Sequence, residues 1–81
     1  MSNYKVGDRV GAIQKCDTST VYLYGYGVYD GDMEHPDIRC PNPRITLDNG
    51  KIIWGLACWW ASEEDVKSII GTREVVNVEL S

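Results

Sequence analysis

The single histidine of the chain is the first residue to test for catalytic chemistry. His35 lies beside Glu34 and Asp37, and Cys40 follows shortly after them. An imidazole with a neighbouring carboxylate and thiol can act as a general base or a nucleophile's partner. No spacing of nucleophile and base and no oxyanion-loop motif accompanies these residues. The sequence therefore predicts a solvated loop histidine and no enzyme, the alternative being a hydrolase or transferase centred on His35.

Cysteine and histidine also suggest zinc, which Cys16, His35, Cys40 and Cys58 could hold together. Structural zinc sites usually take their ligands in close pairs, with about two to four residues between two cysteines. These residues are too widely spaced, so neither a metal nor another cofactor is predicted, and Cys58 is predicted to be a small core residue. An odd number of cysteines leaves one thiol unpaired in a monomer, which suits a reducing compartment.

The aromatic side chains are the sharpest chemical signal. Tyr22, Tyr24 and Tyr26 alternate along one predicted strand and should share one of its faces. Trp59 and Trp60 are consecutive, so in a strand they point to opposite faces and cannot both enter one small core. The tyrosine stripe is either a core face whose hydroxyl groups reach the sheet edge or an exposed recognition surface.

Two arginines could add positive charge to these aromatic faces. Bases stack on aromatic rings with about 1 to 3 kcal/mol each, and arginine binds phosphate through two hydrogen bonds. The sequence therefore predicts a protein that captures a small nucleotide-like ligand. Tyrosine, tryptophan and arginine are equally the usual anchors of protein interfaces, so the alternative is an interaction module or an inhibitor of a host protein. The predicted binding residues are Tyr22, Tyr24, Tyr26, Arg39, Arg44, Trp54 and Trp59.

The first half of the chain predicts two strands and a long loop. Arg9 to Gln14 is the first strand, with Val10 and Ala12 on one face and Ile13 on the other. The second strand runs from Thr20 to Asp30. Its two internal glycines, 25 and 27, predict a bulge or a close approach of another chain segment rather than a phosphate-binding loop. Residues 31 to 43 contain three prolines and no periodicity, which predicts an irregular loop.

Asn49-Gly50 predicts a hairpin with a type I′ turn between Arg44 to Asp48 and a long strand from Lys51 to Trp59 or Trp60. Both faces of this long strand are apolar, and one core cannot cover both. We therefore expect a subunit contact to cover the second face, which predicts a homo-oligomer.

The end of the chain predicts a short helix and a last strand. Ser62 is a predicted N-cap followed by three acidic residues, Gly71 is a predicted helix end, and the buried side is formed by residues 66, 69 and 70. Arg73 to Leu80 is the last strand, with Val76, Val78 and Leu80 predicted to face inward. The fold prediction is a single domain over residues 1 to 81, mainly β, forming a five-stranded barrel or roll with one short helix before the last strand.

Charge and hydropathy exclude several partners. The net charge of -4 disfavours a nucleic-acid polymer, because that affinity comes from lysine and arginine releasing counterions. No apolar stretch reaches the length of about 18 residues that a membrane helix needs, and residues 1 to 5 do not resemble a secretory signal. We expect a cytoplasmic protein with no membrane partner.

The order of these elements, from the Val6-Gly7-Asp8-Arg9-Val10 segment to the late helix, resembles Src-homology-3-like small β-barrels. The small size, the acidic balance and the dense tryptophan and tyrosine content also resemble short accessory proteins of bacteriophages. That second resemblance implies a phage-encoded anti-defence protein in the host cytoplasm, which either inhibits a host enzyme or sequesters a nucleotide signal. It transfers no residue roles.

Overall fold

The computed structural model describes residues 4 to 79, and within this range the side chains of residues 35, 38 and 39 lie outside the description. The described chain forms six strands, one 3₁₀ turn at Gly55–Ala57 and one α-helix. In chain order the elements are β1 (Arg9–Cys16), β2 (Thr20–His35), β3 (Ile38–Leu47), β4 (Ile52–Trp54), β5 (Trp59–Ser62), α1 (Glu63–Ile70) and β6 (Glu74–Asn77).

All six strands belong to one sheet. The order is β4-β3-β2-β1-β5 with antiparallel neighbours, and β6 runs parallel to the first residues of β2. The prediction of a mainly β fold with one short helix before the last strand is confirmed. The sheet of the described residues is not closed and has one strand more than predicted, so neither the barrel nor the count of five strands is confirmed.

The prediction of an irregular loop at residues 31 to 43 is wrong. These residues are the distal arms of the β2–β3 hairpin, in which Met33 pairs with Asn42 and Pro41 pairs with Glu34. Proline cannot donate a hydrogen bond, but an edge strand tolerates it. β4 covers only a later part of β3 in the described sheet, so this stretch of β3 lies along an edge where proline is permitted.

The hairpin at Asn49-Gly50 is confirmed, but its predicted turn type is wrong. The amide of Leu47 donates to the carbonyl of Lys51 at 2.8 Å, and Gly50 adopts φ 88°. A type I′ turn needs positive φ at both central residues, and within residues 4 to 79 only glycines have it. The connection is therefore a three-residue turn that ends on Gly50.

The long strand predicted after Gly50 is wrong, because the 3₁₀ turn divides it into β4 and β5. A Cβ atom at Gly55 would lie 2.4 Å from Nε1 of Trp60, so this position must be glycine for the indole to pass. The two halves then pair with opposite ends of the sheet, β4 with β3 and β5 with β1. Residues 51 to 60 therefore do not form one strand with two apolar faces. The reason for expecting a subunit contact is removed, and the homo-oligomer stays a prediction.

Two apolar clusters bury the two faces of the sheet. Val10 and Ala12 belong to cluster 1 and Ile13 to cluster 2, which confirms the predicted division of β1. The buried members of cluster 1 are Val10, Ala12, Tyr29, Ile45, Leu47 and Ile53, with Tyr4, Tyr24, Cys58 and Trp60 packed against them. Those of cluster 2 are Ile13, Val21, Leu23, Ala61 and Val66, with Tyr26, Ile69 and Ile70 packed against them.

The helix confirms its predicted limits. The hydroxyl of Ser62 accepts a hydrogen bond from the amide of Asp65 at 3.1 Å, and Gly71 ends the helix with φ 49°. Val66 is fully buried on the sheet. The predicted inward position of Val76 is wrong, because β6 lies exposed along an edge and Val76 is 39% accessible. Leu80 lies outside the described residues.

Replacement of Gly27 by alanine tests the close approach of the β3 backbone to β2. An added Cβ would lie 2.2 Å from the carbonyl oxygen of Thr46 and 2.7 Å from Cα of Leu47, and neither backbone atom can move independently. We expect Gly27→Ala to lower the free energy of unfolding by about 2 kcal/mol or more in urea titrations. Ser68→Ala, on the exposed face of α1, is the control and should change it by less than about 0.5 kcal/mol. Equal stability of the two variants would contradict this close approach at Gly27.

Candidate functional site

A groove lies beside the last residues of β1, which extend beyond Trp59, the first residue of β5. The β1–β5 register runs from Val10 paired with Ser62 to Ile13 paired with Trp59. The last turn of α1 and the start of the segment leading to β6 form the other wall. The groove encloses about 480 Å³, within the range of small-molecule sites. Its lining residues are Ile13, Lys15, Cys16, Trp59, Ile69 and Arg73.

The body of the groove is apolar. Ile13 is 2% accessible and forms its floor, and the half-buried Ile69 packs against cluster 2 beside it. Trp59 is the exposed aromatic wall, with 50% of its surface accessible. A large aromatic side chain this exposed beside an apolar floor offers a surface on which a flat ring can stack.

Two cationic residues, Lys15 and Arg73, are among the residues that line the groove. Nη1 of Arg73 donates a hydrogen bond to the carbonyl oxygen of Ile69 in the last turn of α1, which fixes the guanidinium at the helix end. Nζ of Lys15 lies 4.7 Å from the ring centroid of Tyr22. Arg73 keeps further N–H groups that a ligand can use, whereas the ammonium of Lys15 lies over a ring that does not line the groove.

The carboxylate closest in sequence to Lys15 is held in a turn. Asp17 accepts hydrogen bonds from the amides of Ser19 at 2.9 Å and Thr20 at 2.7 Å in the turn between β1 and β2. These backbone hydrogen bonds, with a smaller contribution from the charge of Lys15, lower the pKa of Asp17. The carboxylate of Asp17 is fixed in the turn and, as an anion, offsets part of the positive charge of Lys15.

Of the six predicted binding residues whose side chains the structure describes, Trp59 alone lines the groove, and Tyr22 contacts the ammonium of Lys15 without lining it. Arg44 and Trp54 do come together, as cross-strand partners on β3 and β4, but on another part of the sheet. Nε of Arg44 donates to the carboxylate of Asp30 at 3.1 Å, which occupies much of its charge. The side chain of Arg39 lies outside the described residues.

The predicted tyrosine stripe is wrong. The β1–β2 register shifts at Tyr24, since Ala12 pairs with Gly25 and Ile13 pairs with Leu23. A bulge reverses the alternation of side chains beyond it. Tyr24 therefore packs against cluster 1 and Tyr26 against cluster 2, where burial raises its pKa.

Sequence reasoning missed five of the six groove residues. Lys15 and Arg73 are far apart in the sequence and follow no shared motif, so only the folded sheet and helix bring them together. Cys16 was considered only as a zinc ligand. A usable signal was present for Ile13, which was assigned to the opposite face from Val10 and thus to the face that carries the groove.

The other charged clusters tie elements together. Arg9 donates to both carboxylate oxygens of Asp48, at 2.6 and 2.8 Å, and to Glu63 at 3.2 Å, joining β1, the β3–β4 turn and α1. The hydroxyl of Tyr29 donates to Asp32 at 2.7 Å, and this hydrogen bond raises the pKa of Tyr29 to about 12. These contacts have structural roles.

Comparisons with protein-family models, with curated proteins and with solved structures find no match to this chain. Within the described part of the chain, no group of three histidine, cysteine or acidic residues is arranged to hold a metal ion. No helix in the same range is long and apolar enough to cross a membrane.

The three thiols test the burial that the structure assigns to them. Burial raises the pKa of Cys58 to about 11, and its Sγ lies 3.6 Å from the carbonyl oxygen of Trp54, whereas Cys16 and Cys40 are exposed. Because the thiolate is the reactive form, we expect iodoacetamide at about pH 8 to label Cys16 and Cys40 first, with Cys58 at least about tenfold slower by mass spectrometry. Labelling of Cys58 should accelerate as the pH approaches 11, and denatured protein should label all three alike. Equal rates in the native protein would contradict the position of Cys58.

Proposed function

We propose that this protein is a non-enzymatic binding protein that captures a small nucleotide-like ligand in the groove beside Trp59. The observation that carries the proposal is the combination of one exposed indole, an apolar floor and two cations around about 480 Å³. The proposed ligand class is the one that the sequence predicts. The proposed site lies at the end of β1, whereas most of the predicted binding residues lie on β2, β3 and β4.

The geometry supports a ligand with two unlike parts. A flat ring placed against Trp59 and Ile69 would bury apolar area and gain about 1 to 3 kcal/mol of stacking. An anionic group beside it would reach the free N–H groups of Arg73, and a guanidinium group forms the stronger, charge-assisted hydrogen bonds with phosphate. A base and a phosphate joined by a sugar have this character.

Thermal shift against a panel of nucleoside monophosphates, triphosphates and cyclic nucleotides tests the proposal. A ligand that binds the folded state stabilises it in proportion to the logarithm of one plus the ratio of ligand concentration to Kd, so the melting temperature rises with the logarithm of the ligand concentration above Kd. We expect Trp59→Leu to weaken binding of the responding nucleotide by about five- to a hundredfold, following the loss of stacking. Arg73→Gln should weaken a nucleotide more than its nucleoside. A panel without any response would overturn the proposal.

Trp54→Leu is the matched control, because it removes an indole of the same size from the other predicted face. The nucleotide affinity of Trp54→Leu should equal that of the unmodified protein. If Trp54→Leu loses as much affinity as Trp59→Leu, the ligand binds on the surface that carries Arg44 and Trp54. Bound nucleotide should also slow the alkylation of Cys16, which lines the groove, while Cys40 on β3 reacts at an unchanged rate.

The alternative function is a protein-interaction module that uses the same exposed indole. Leu56 in the 3₁₀ turn is 51% accessible and precedes Trp59 on the same surface segment, which would suit a protein partner. A protein that ignores the whole nucleotide panel and loses a purified partner on Trp59→Leu would favour this alternative.

A further inference from the structure

We infer that the open edge of β6 pairs with the β6 edge of a second copy of this chain, in an antiparallel and two-fold symmetric arrangement. All four residues of β6 are exposed, and its two valines, Val75 and Val76, are 38% and 39% accessible. Consecutive residues of a strand point to opposite faces, so neither face of β6 is covered. In the described part of the chain β6 pairs with β2 alone. The inference does not depend on the proposed ligand.

The hydrogen bonds to β2 determine which backbone groups of β6 face the open edge. The amides of Glu74 and Val78 donate to carbonyl oxygens of residues 19 to 23, at 2.9 and 2.8 Å. Along a strand, the backbone N–H and C=O groups of successive residues point alternately to one side and to the other. Those of Val75 and Asn77 therefore point away from β2. Such a row of outward groups is a template for a further strand.

A two-fold axis at Val76 gives a register in which these groups pair. Val75 of one copy then lies opposite Asn77 of the second copy, and the two residues exchange both backbone hydrogen bonds. The same register places Arg73 opposite Glu79 of the second copy, and the symmetry produces this pair twice. Opposite charges on facing residues stabilise paired strands. With the axis at Val75 or at Asn77 instead, Arg73 faces no acidic residue, so charge complementarity selects the axis at Val76.

The side chain of Arg73 lies on the side of the sheet that this pair requires. Its guanidinium donates to the carbonyl oxygen of Ile69, which places it on the helix side. Val75, two residues later, pairs with Val21 of cluster 2 on that same side. Residues directly opposite each other on paired strands share a face, so Glu79 of the second copy would approach from the helix side. Arg73 keeps N–H groups beyond the one bonded to Ile69, and Glu79 is exposed.

Sedimentation velocity of charge variants tests the interface, in phosphate-free buffer because Arg73 also lines the groove. Two short strands bury less area than a standard interface, so the protein is studied from about 1 µM to about 1 mM. We expect Glu79→Arg and Arg73→Glu each to raise the dimer Kd about tenfold or more, because each creates two like-charged pairs. An equimolar mixture of the two variants restores opposite charges at both pairs and should dimerise about as tightly as the unmodified protein. Glu34→Arg makes the same charge change at the far end of β2 and should leave the Kd within about twofold.

Hydrogen exchange followed by NMR locates the contact without any substitution. The amides of Val75 and Asn77 should exchange fast in dilute protein and at least about threefold more slowly once the concentration exceeds the dimer Kd. The amide of Glu74, which already donates to Ser19, should not change. This measurement also decides the matter if Arg73→Glu fails to fold in the urea titration that accompanies each variant.

Dimerisation with recovery in the mixed variants and protection of the two outward amides supports the inference. A protein that stays monomeric up to about 1 mM overturns it and leaves the edge of β6 open to a strand of a different protein. A dimer that leaves these amides unprotected forms through another surface, which also overturns it. Protected amides with no response to either charge variant overturn the register at Val76. None of these results depends on the nucleotide panel, so the proposed function is tested separately.

Discussion

The bend of β2 at Gly25 and Gly27 is the constraint on which the rest of the structure depends. β2 takes part in both apolar clusters, with Leu23 buried in one and Tyr29 in the other. The bulge at Gly25, with φ 144°, reverses the side-chain alternation between these two residues. At Gly27 the backbone of β3 passes so closely that a Cβ would overlap with it. Because of this bend, the single strand β2 contributes buried side chains to both apolar clusters.

Trp59 and Trp60 face opposite ways because they are consecutive residues of β5. Consecutive residues on a strand face opposite ways, so a strand that presents Trp60 to cluster 1 must present Trp59 to the other side. Trp60 stacks on Tyr29 with ring centroids 5.4 Å apart and contacts Tyr4 at 4.7 Å, which fills cluster 1. Trp59 faces the smaller cluster 2, where the helix ends before it can cover the indole. The groove is thus what remains where a short helix meets a longer sheet.

Local patterns predicted what depends on neighbouring residues, and failed where distant segments decide. The capped helix, the turn at Asn49-Gly50 and the two faces of β1 follow from spacing over a few residues, and the structure confirms them. The break at Gly55 could not be foreseen, because the indole that requires glycine there is known only from the packing. The tyrosine stripe failed for a related reason, since a glycine signals that a bulge is possible but not which residue it displaces. The groove needs Lys15 and Arg73 from opposite ends of the chain, so no local pattern contains it.

The charge distribution fits the proposal of a small anionic ligand better than that of a polymeric one. The protein carries a net charge of -4, so at a distance it repels a polyanion such as nucleic acid. At physiological ionic strength this field decays over about 8 Å, and inside that distance the nearest charges decide. Lys15 and Arg73 line the apolar groove, and of the two Arg73 is half-buried whereas Lys15 is exposed. Under the proposed function, a small phosphate would meet only the local charges that line the groove, whereas a polymer lying across the protein would also meet the repulsion of its net negative charge.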